Sequence, residues 1–136
     1  MCRILLADDD EEDQQILLDA MSKEAFAAVV HCEWNGQKAF DYLEHCEKDN
    51  LPDIILLDYK MPIMGASEFL EKTGEGSRYA QISKIVWSSS NNEEHQKSCI
   101  AMGAVNYFTK PSSYSGLIPL IRMMQEVCKN KITGHL

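Results

Sequence analysis

The sequence predicts an α/β protein built on one five-stranded parallel sheet with helices on both faces. Short apolar runs alternate five times with segments of helical periodicity, which is typical of this class. The run at residues 54–57 contains no polar residue, as expected of a strand that is buried on both faces of a parallel sheet. No repeat, low-complexity stretch or linker divides the 136 residues, so we expect a single domain over residues 1–136 with no output domain.

Each predicted strand ends in polar or turn-forming residues. The predicted strands cover residues 4–7, 27–30, 54–57, 85–87 and 106–108. They are followed respectively by three aspartates, the Asn35-Gly36 turn beyond Trp34, Asp58, three serines and Lys110-Pro111.

The segments between the strands carry apolar residues at helical spacing, which predicts their core-facing positions. These positions are Ile16, Leu17, Ala20 and Met21; then Ala39, Phe40, Leu43 and Cys46; then Phe69 and Leu70; and finally Leu117, Leu120, Ile121, Met124 and Val127 or Cys128. A fourth helix runs from Glu94 to Met102 and ends at Gly103. Pro119 lies in the first turn of the last helix, where a missing N–H costs little. With right-handed crossovers, the default arrangement is the flavodoxin-like, doubly wound (βα)5 fold with strand order 2-1-3-4-5.

Composition excludes several classes of function. There are 13 Lys and Arg residues against 21 Asp and Glu, so no basic patch for direct nucleic-acid binding is expected. No apolar segment approaches the roughly 20 residues that a membrane helix needs, and no signal peptide is recognisable, so we expect a cytoplasmic protein with no membrane contact. The five cysteines are odd in number and irregularly spaced, which argues against a disulfide framework or a zinc site and favours core-facing positions.

Polar side chains collect at the carboxyl ends of the predicted strands. They are those of Asp8, Asp9, Asp10, Asp58, Ser88 and Lys110. In a doubly wound fold these ends meet at one edge, where ligands bind. Neighbouring carboxylates repel unless a cation compensates, and Mg²⁺ with oxygen ligands is the natural choice. Such an ion would let an anionic carboxylate attack a phosphoryl group, with the lysine and the hydroxyl holding the phosphoryl oxygens.

Four segments together make the chain resemble the receiver domains of two-component signalling, the CheY-like superfamily. They are residues 6–10 (LADDD), 55–62 (ILLDYKMP), 85–90 (IVWSSS) and 103–111 (GAVNYFTKP). They occur in the family's order and span most of the chain. Each motif alone is weak, but four at successive strand ends are specific.

The resemblance implies a role for each matching residue. Asp58 corresponds to the phosphorylated aspartate. Mg²⁺ (or Mn²⁺) would be held by Asp8, Asp9, Asp58 and the backbone carbonyl of Lys60. Ser88 and Lys110 correspond to the residues that bind the phosphoryl group, and Ser88 and Tyr107 to the pair that switches conformation. The family's Lys–Pro bond is usually cis, so a cis peptide is expected before Pro111.

The implied function is that of a response regulator rather than a turnover enzyme, with self-catalysed phosphotransfer and slow autodephosphorylation. A sensor histidine kinase or a phosphotransfer protein would supply the phosphoryl group, and an unidentified downstream protein would receive the signal. A homodimer through the face formed by helix 4, strand 5 and helix 5 is a further expectation. The stand-alone receivers, including those paired with phytochrome-like kinases, are the most similar type.

The sequence leaves three alternative functions open. A phosphohydrolase of the haloacid-dehalogenase kind needs a second aspartate two residues after the nucleophile, where this chain has Lys60. A flavodoxin-like cofactor binder needs a phosphate-binding loop after the first strand, where the aspartates would repel phosphate. A degenerate receiver would keep the fold and act only as a binding module. The side chains of Lys60 and Ser90 have no assigned role, and Asp10 is expected to be a loop residue or a cap near the first helix rather than a metal ligand.

Overall fold

The structure is a computed structural model, and it describes residues 1–133 of the chain. Within that range the strands form one parallel sheet in the order β2-β1-β3-β4-β5. The strands are β1 (Cys2–Ala7), β2 (Ala28–Glu33), β3 (Ile54–Asp58), β4 (Ser83–Ser88) and β5 (Asn106–Thr109). The helices are α1 (Glu11–Lys23), α2 (Gly36–His45), α3 (Ala66–Lys72), α4 (Glu93–Ala101) and α5 (Ile118–Thr133), with short 3₁₀ turns at Lys48–Asn50 and Tyr114–Leu117. The predicted doubly wound α/β fold is confirmed; residues 134–136 of the predicted domain lie outside the described residues.

The sheet separates two apolar layers, and β3 contributes to both. Ile55 and Leu57 pack with residues from α2 and α3, whereas Ile54 and Leu56 pack with residues from α1 and α5. All four side chains are fully buried. Burying a side chain of this size contributes about 1.5–3 kcal/mol to stability. The central strand is therefore held on both faces, which fixes the position of the residue that ends it.

Strand register brings the ends of β1 and β3 together. Ala7 pairs with Leu57, so Asp8 and Asp58 lie side by side where the two strands end. On the other side of β3, Asp58 pairs with Trp87, the residue before the end of β4. Asp8, Asp58 and the end of β4 therefore lie together at the carboxyl edge of the sheet, as predicted from the sequence.

Short polar side chains cap three of the helices. The side chain of Asp10 accepts a hydrogen bond from the backbone N–H of Asp13 at 3.1 Å, which confirms its expected role at the start of α1. Asn35 and Asn92 cap α2 and α4 in the same way. Each such cap contributes roughly 1 kcal/mol. The caps also fix where α1 and α4 begin beside the carboxyl edge.

A buried lysine lies near the amino edge of the sheet. Lys84, in β4, donates hydrogen bonds through Nζ to the backbone carbonyls of Thr73 and Tyr79 at 2.7 and 2.6 Å. Burial lowers the pKa of this lysine to about 8, with a smaller effect from the positive charge of Lys131. Its hydrogen bonds tie β4 to the segment that follows α3.

A disulfide between Cys2 and Cys128 also lies near this edge and joins β1 to α5. Their Cα atoms are 5.6 Å apart. The prediction against disulfide bonding is therefore wrong for this pair. The two cysteines are 126 residues apart, so no local spacing indicates the pairing, and only the packing of α5 on the sheet brings them together. Both are buried, and so is the free Cys99, as expected for core-facing cysteines, whereas Cys32 and Cys46 are only half-buried.

Two other local predictions are wrong. The Lys110–Pro111 bond is trans, which is the form that X–Pro bonds favour by about 0.5–1 kcal/mol unless the surroundings select the other. Ile16 is 48% exposed, because the buried face of α1 is centred on Leu17, Ala20 and Met21. Within residues 1–133, no helix has the length and apolar character needed to cross a bilayer.

Candidate functional site

Three carboxylates meet where β1 and β3 end. Asp8 and Asp9 follow β1 directly, and Asp58 is the last residue of β3. One carboxylate oxygen from each residue lies within 4.8 Å of the other two. Asp8 and Asp58 are buried, whereas Asp9 is exposed. The structure thus brings together the three acids that the sequence assigned to one site.

Burial makes the charged forms of Asp8 and Asp58 unfavourable. It raises the pKa of the Asp8 carboxyl to about 6, against the lowering effect of Lys110. Burial likewise raises the pKa of Asp58, again opposed by Lys110. An additional cation would offset this cost, because it favours the ionised carboxylates.

The oxygens of the acidic group suit a hard divalent cation. Asp8 Oδ1 accepts a hydrogen bond from the backbone N–H of Asp10 at 2.9 Å, but its buried Oδ2 has no hydrogen-bond partner among the described residues. A buried carboxylate oxygen that makes an ion pair with Lys110 but no hydrogen bond, beside two other carboxylates, is a donor set that fits Mg²⁺ or Mn²⁺. Lys60, whose backbone carbonyl is the fourth predicted ligand, lines a surface cleft together with Asp9, and its side chain is exposed.

The ammonium group of Lys110 lies among three carboxylates. Its Nζ donates hydrogen bonds to Asp13 Oδ2 at 2.8 Å and to Asp58 Oδ2 at 3.1 Å. It also lies 2.8 Å from Asp8 Oδ2, as an ion pair without the direction of a hydrogen bond. The ring centroid of Trp87 is 4.8 Å from the same nitrogen, within range of a cation–π contact. Burial alone would lower the pKa of Lys110, but the carboxylates of Asp13, Asp8 and Asp58 raise it overall, so the ammonium stays charged at neutral pH.

Hydrogen bonds connect the end of β4 to β5 through Ser90. Ser88 is buried, and its Oγ accepts a hydrogen bond from the backbone N–H of Ser90 at 3.2 Å. The hydroxyl of Tyr107 donates to the backbone carbonyl of Ser90 at 2.9 Å. The Tyr107 side chain lies inside the protein, with the residue only 6% exposed. The predicted switch residues Ser88 and Tyr107 therefore contact the same loop residue.

Sequence reasoning missed two residues that contact this site. Asp13 lies in the first turn of α1 and binds Lys110, 97 residues away, and its place at the end of an acidic run gives no signal of that partner. Gln14 is buried, and its Nε2 donates a hydrogen bond to the backbone carbonyl of Asp8 at 2.7 Å. A buried glutamine in a helix that follows an acidic loop carries no specific signal in a single sequence.

Comparison with known families and proteins gives a consistent result. Residues 4–122 match the family model described as the response regulator receiver domain. The chain is 32% identical over 113 residues to the two-component response regulator ORR1 of Oryza sativa subsp. japonica, covering 80% of this chain and 49% of that protein. It is 29% identical over 139 residues to the protein-glutamate methylesterase/protein-glutamine glutaminase of Bacillus subtilis (strain 168), covering 100% of this chain and 36% of that protein. The chain thus spans about a third to a half of the length of these relatives.

Solved structures share the fold. The phosphorylated cyanobacterial phytochrome response regulator RcpA superposes with a TM-score of 0.81 and is 24% identical, covering 96% of this chain and 95% of that chain. This likeness supports the same five-stranded architecture.

Proposed function

Because the chain belongs to the response regulator receiver family, we propose that it is a phosphorylation switch of two-component signalling, with Asp58 as the phosphoacceptor. The donor would be the phosphohistidine of a sensor histidine kinase or of a phosphotransfer protein. The observation that carries the proposal is the position of Asp58, whose carboxylate lies beside Asp8 and Asp9 and accepts a hydrogen bond from Lys110.

In the proposed reaction a carboxylate oxygen of Asp58 attacks phosphorus and forms a new O–P bond. The N–P bond of phosphohistidine breaks, and its electron pair returns to the imidazole. Lys110 supplies positive charge to the phosphoryl oxygens, and Ser88 donates a hydrogen bond to one of them. Asp8, Asp9, Asp58 and the backbone carbonyl of Lys60 would hold Mg²⁺ or Mn²⁺, which when bound neutralises charge on the transferred group.

The signal would pass through protein contacts of the receiver domain over residues 1–136. Movement of Ser88 toward the phosphoryl group alters the loop at Ser90, to which Tyr107 is bonded. Beyond this loop lies the face formed by α4, β5 and α5. Ile100 in α4 and Val105 just before β5 are 44% and 51% exposed and offer apolar contact area. We propose this face as the surface for the downstream protein and for a homodimer.

The surroundings of Asp58 favour this proposal over the alternatives. Lys60 does not provide the carboxyl that a haloacid-dehalogenase-type phosphohydrolase uses as its general acid at that position, because the side chain there is an exposed amine. The acidic group after β1 disfavours a flavodoxin-like phosphate site. The charge balance of 13 basic against 21 acidic residues favours a protein partner over nucleic acid. We also propose a cytoplasmic location, because the sequence contains no recognisable signal peptide.

Intact mass measurement after incubation with acetyl phosphate and Mg²⁺ tests the proposal. We expect wild-type protein to gain the mass of one phosphoryl group, and we expect no gain after Asp58→Asn or when a chelator removes the metal. Turnover of a phosphoester without a stable mass gain would support a phosphohydrolase instead. No gain and no turnover would indicate a degenerate receiver.

A further inference from the structure

The lysine at the site contacts a carboxylate that lies outside the acidic group of Asp8, Asp9 and Asp58. Lys110 Nζ contacts Asp8 and Asp58, which belong to the group that could hold a metal, and also Asp13, which does not. The contact with Asp13 is a hydrogen bond of 2.8 Å, shorter than the 3.1 Å bond to Asp58. The ammonium is therefore bound at least as closely by α1 as by the proposed phosphoacceptor.

The backbone of Asp13 is held in the first turn of α1, from which its side chain makes this contact. Its backbone N–H donates to the capping side chain of Asp10, which fixes the first turn of α1. The Asp13 side chain is 31% exposed, whereas that of Lys110 is 10% exposed, so the lysine is the more enclosed partner. The Trp87 ring contacts the same ammonium. The position of Lys110 Nζ is thus set jointly by α1, by the ring and by the acidic group.

An ammonium has three hydrogens to donate, and the phosphoryl oxygens on Asp58 would need at least one of them. In this structure one hydrogen bond goes to Asp13 and one to Asp58, and the third carboxylate forms the ion pair with the ammonium. The negative charge on Asp13 also offsets part of the positive charge that an incoming phosphoryl donor would meet. Asp13 therefore competes with the phosphoryl group for the positive charge of the lysine, and its hydrogen bond holds the ammonium on the side of α1.

We propose that Asp13 is a positioning residue that holds Lys110 toward α1 and so limits how fast Asp58 takes up a phosphoryl group. The proposal rests on the proposed function of Asp58 as phosphoacceptor, and it adds a residue that acts through the lysine. Lys110 would be a counterion for two groups in turn. Its ammonium pairs with the Asp13 carboxylate before phosphoryl transfer and with the phosphoryl oxygens after it.

The kinetic test compares variants in the rate of mass gain from acetyl phosphate. Asp13→Asn keeps a hydrogen-bond acceptor but removes the charge, and we expect uptake to become about three- to tenfold faster. Asp13→Glu restores the charge and should return the rate to within about twofold of wild type. Asp19→Asn is the matched control, because Asp19 lies on the same helix, bonds Gln15 and makes no described contact with Lys110. It should leave the rate unchanged.

A double-mutant cycle separates an effect through the lysine from a general effect of charge. In a Lys110→Gln background, Asp13→Asn should no longer accelerate uptake. An acceleration that persists there, or one that Asp19→Asn reproduces, would overturn the proposal.

A second measurement does not depend on phosphorylation. In protein labelled with ¹⁵N at lysine side chains, the Nζ signal of Lys110, assigned by its loss in Lys110→Gln, should shift in Asp13→Asn and stay in place in Asp19→Asn. An unchanged signal in Asp13→Asn would contradict the inference about Asp13 whatever the kinetics show. A shifted signal together with no phosphoryl uptake by wild-type protein would uphold the contact and reject the proposed function.

Discussion

Each edge of the sheet holds a lysine, Lys84 buried and Lys110 partly buried, and the two have different kinds of partner. At the carboxyl edge, Lys110 lies among carboxylates that raise its pKa despite burial. Near the amino edge, Lys84 is bonded to two backbone carbonyls, and burial lowers its pKa to about 8. Neutral dipoles do not compensate for the loss of solvation as well as opposite charges do.

This difference indicates that the two edges of the sheet have different roles. The carboxyl edge brings together Asp8 and Asp58, whose pKa values are raised by burial, and such groups are typical of a binding site rather than of a stabilising contact. The amino edge holds the hydrogen-bonded Lys84 and a disulfide between Cys2 and Cys128. We expect stability to depend mainly on the amino edge and chemistry on the carboxyl edge.

The largest effect that would test this division is the loss of the disulfide. The bond spans 126 residues, and in the chain-entropy model closing a loop of that size stabilises the folded state by about 4–5 kcal/mol. Reduction, or the double replacement Cys2→Ser and Cys128→Ser, should lower the free energy of unfolding in urea by roughly that amount. Mg²⁺ affinity measured by calorimetry on the folded protein should not change, because the acidic group lies at the other edge.

Cys46→Ser provides the control for that experiment, since Cys46 is a free, half-buried cysteine. Because Cys46→Ser keeps the Cys2–Cys128 bond, it should lose as much stability on reduction as wild-type protein does, apart from any change at position 46 itself. Equal stability of wild-type protein under oxidising and reducing conditions would contradict the assignment of stability to the amino edge.

An intermediate effect is expected from Lys84 when pH is raised. A lysine whose pKa is lowered to about 8 in the folded protein, from 10.5, binds fewer protons when folded than when unfolded between these values. Stability contributed by this group therefore rises with pH across that window. Between pH 7 and pH 9.5 the gain should be about 2 kcal/mol.

Other groups titrate in the same range, so the measurement is a difference between wild type and Lys84→Met at each pH. Burial raises the pKa of the Cys99 thiol, which acts in the opposite direction but is common to both proteins. Relative to the variant, wild type should gain stability as pH rises. A difference independent of pH would mean that the ammonium of Lys84 is not destabilised by its surroundings.

The fold was predictable because its signals are local and repeated. The apolar run of β3 and the Gly103 that follows α4 each match the structure. The acidic group was predictable for a related reason, since parallel strands place their carboxyl ends together and Asp8 and Asp58 follow such strands directly.

The remaining features depend on contacts that are distant in the chain. The pairing of Cys2 with Cys128 requires α5 to lie over the start of β1, and no spacing encodes it. The ion pair of Asp13 with Lys110 joins residues 97 positions apart. Asp13 also ends a run of acids that contains five others, at residues 8–12, so its type alone does not distinguish a lysine partner from a solvated surface residue.

The smallest expected effect concerns which of the three consecutive aspartates belong to the site. Asp10→Ala removes the cap of α1 and should destabilise the protein by about 1 kcal/mol. It should leave Mg²⁺ affinity within about twofold of wild type, because Asp10 contacts Asp8 through its backbone N–H, which alanine retains. Asn35→Ala removes the cap of α2 and serves as the matched control for stability.

Asp9→Ala gives the contrast, because it removes one of the three grouped carboxylates and no helix cap. It should weaken Mg²⁺ binding at least about tenfold, since a divalent ion with few carboxylate ligands depends on each of them. If Asp10→Ala weakened the metal as much as Asp9→Ala does, the third aspartate would be part of the site. All three consecutive aspartates would then belong to the metal site, and the residue that caps α1 would also be a ligand of the ion.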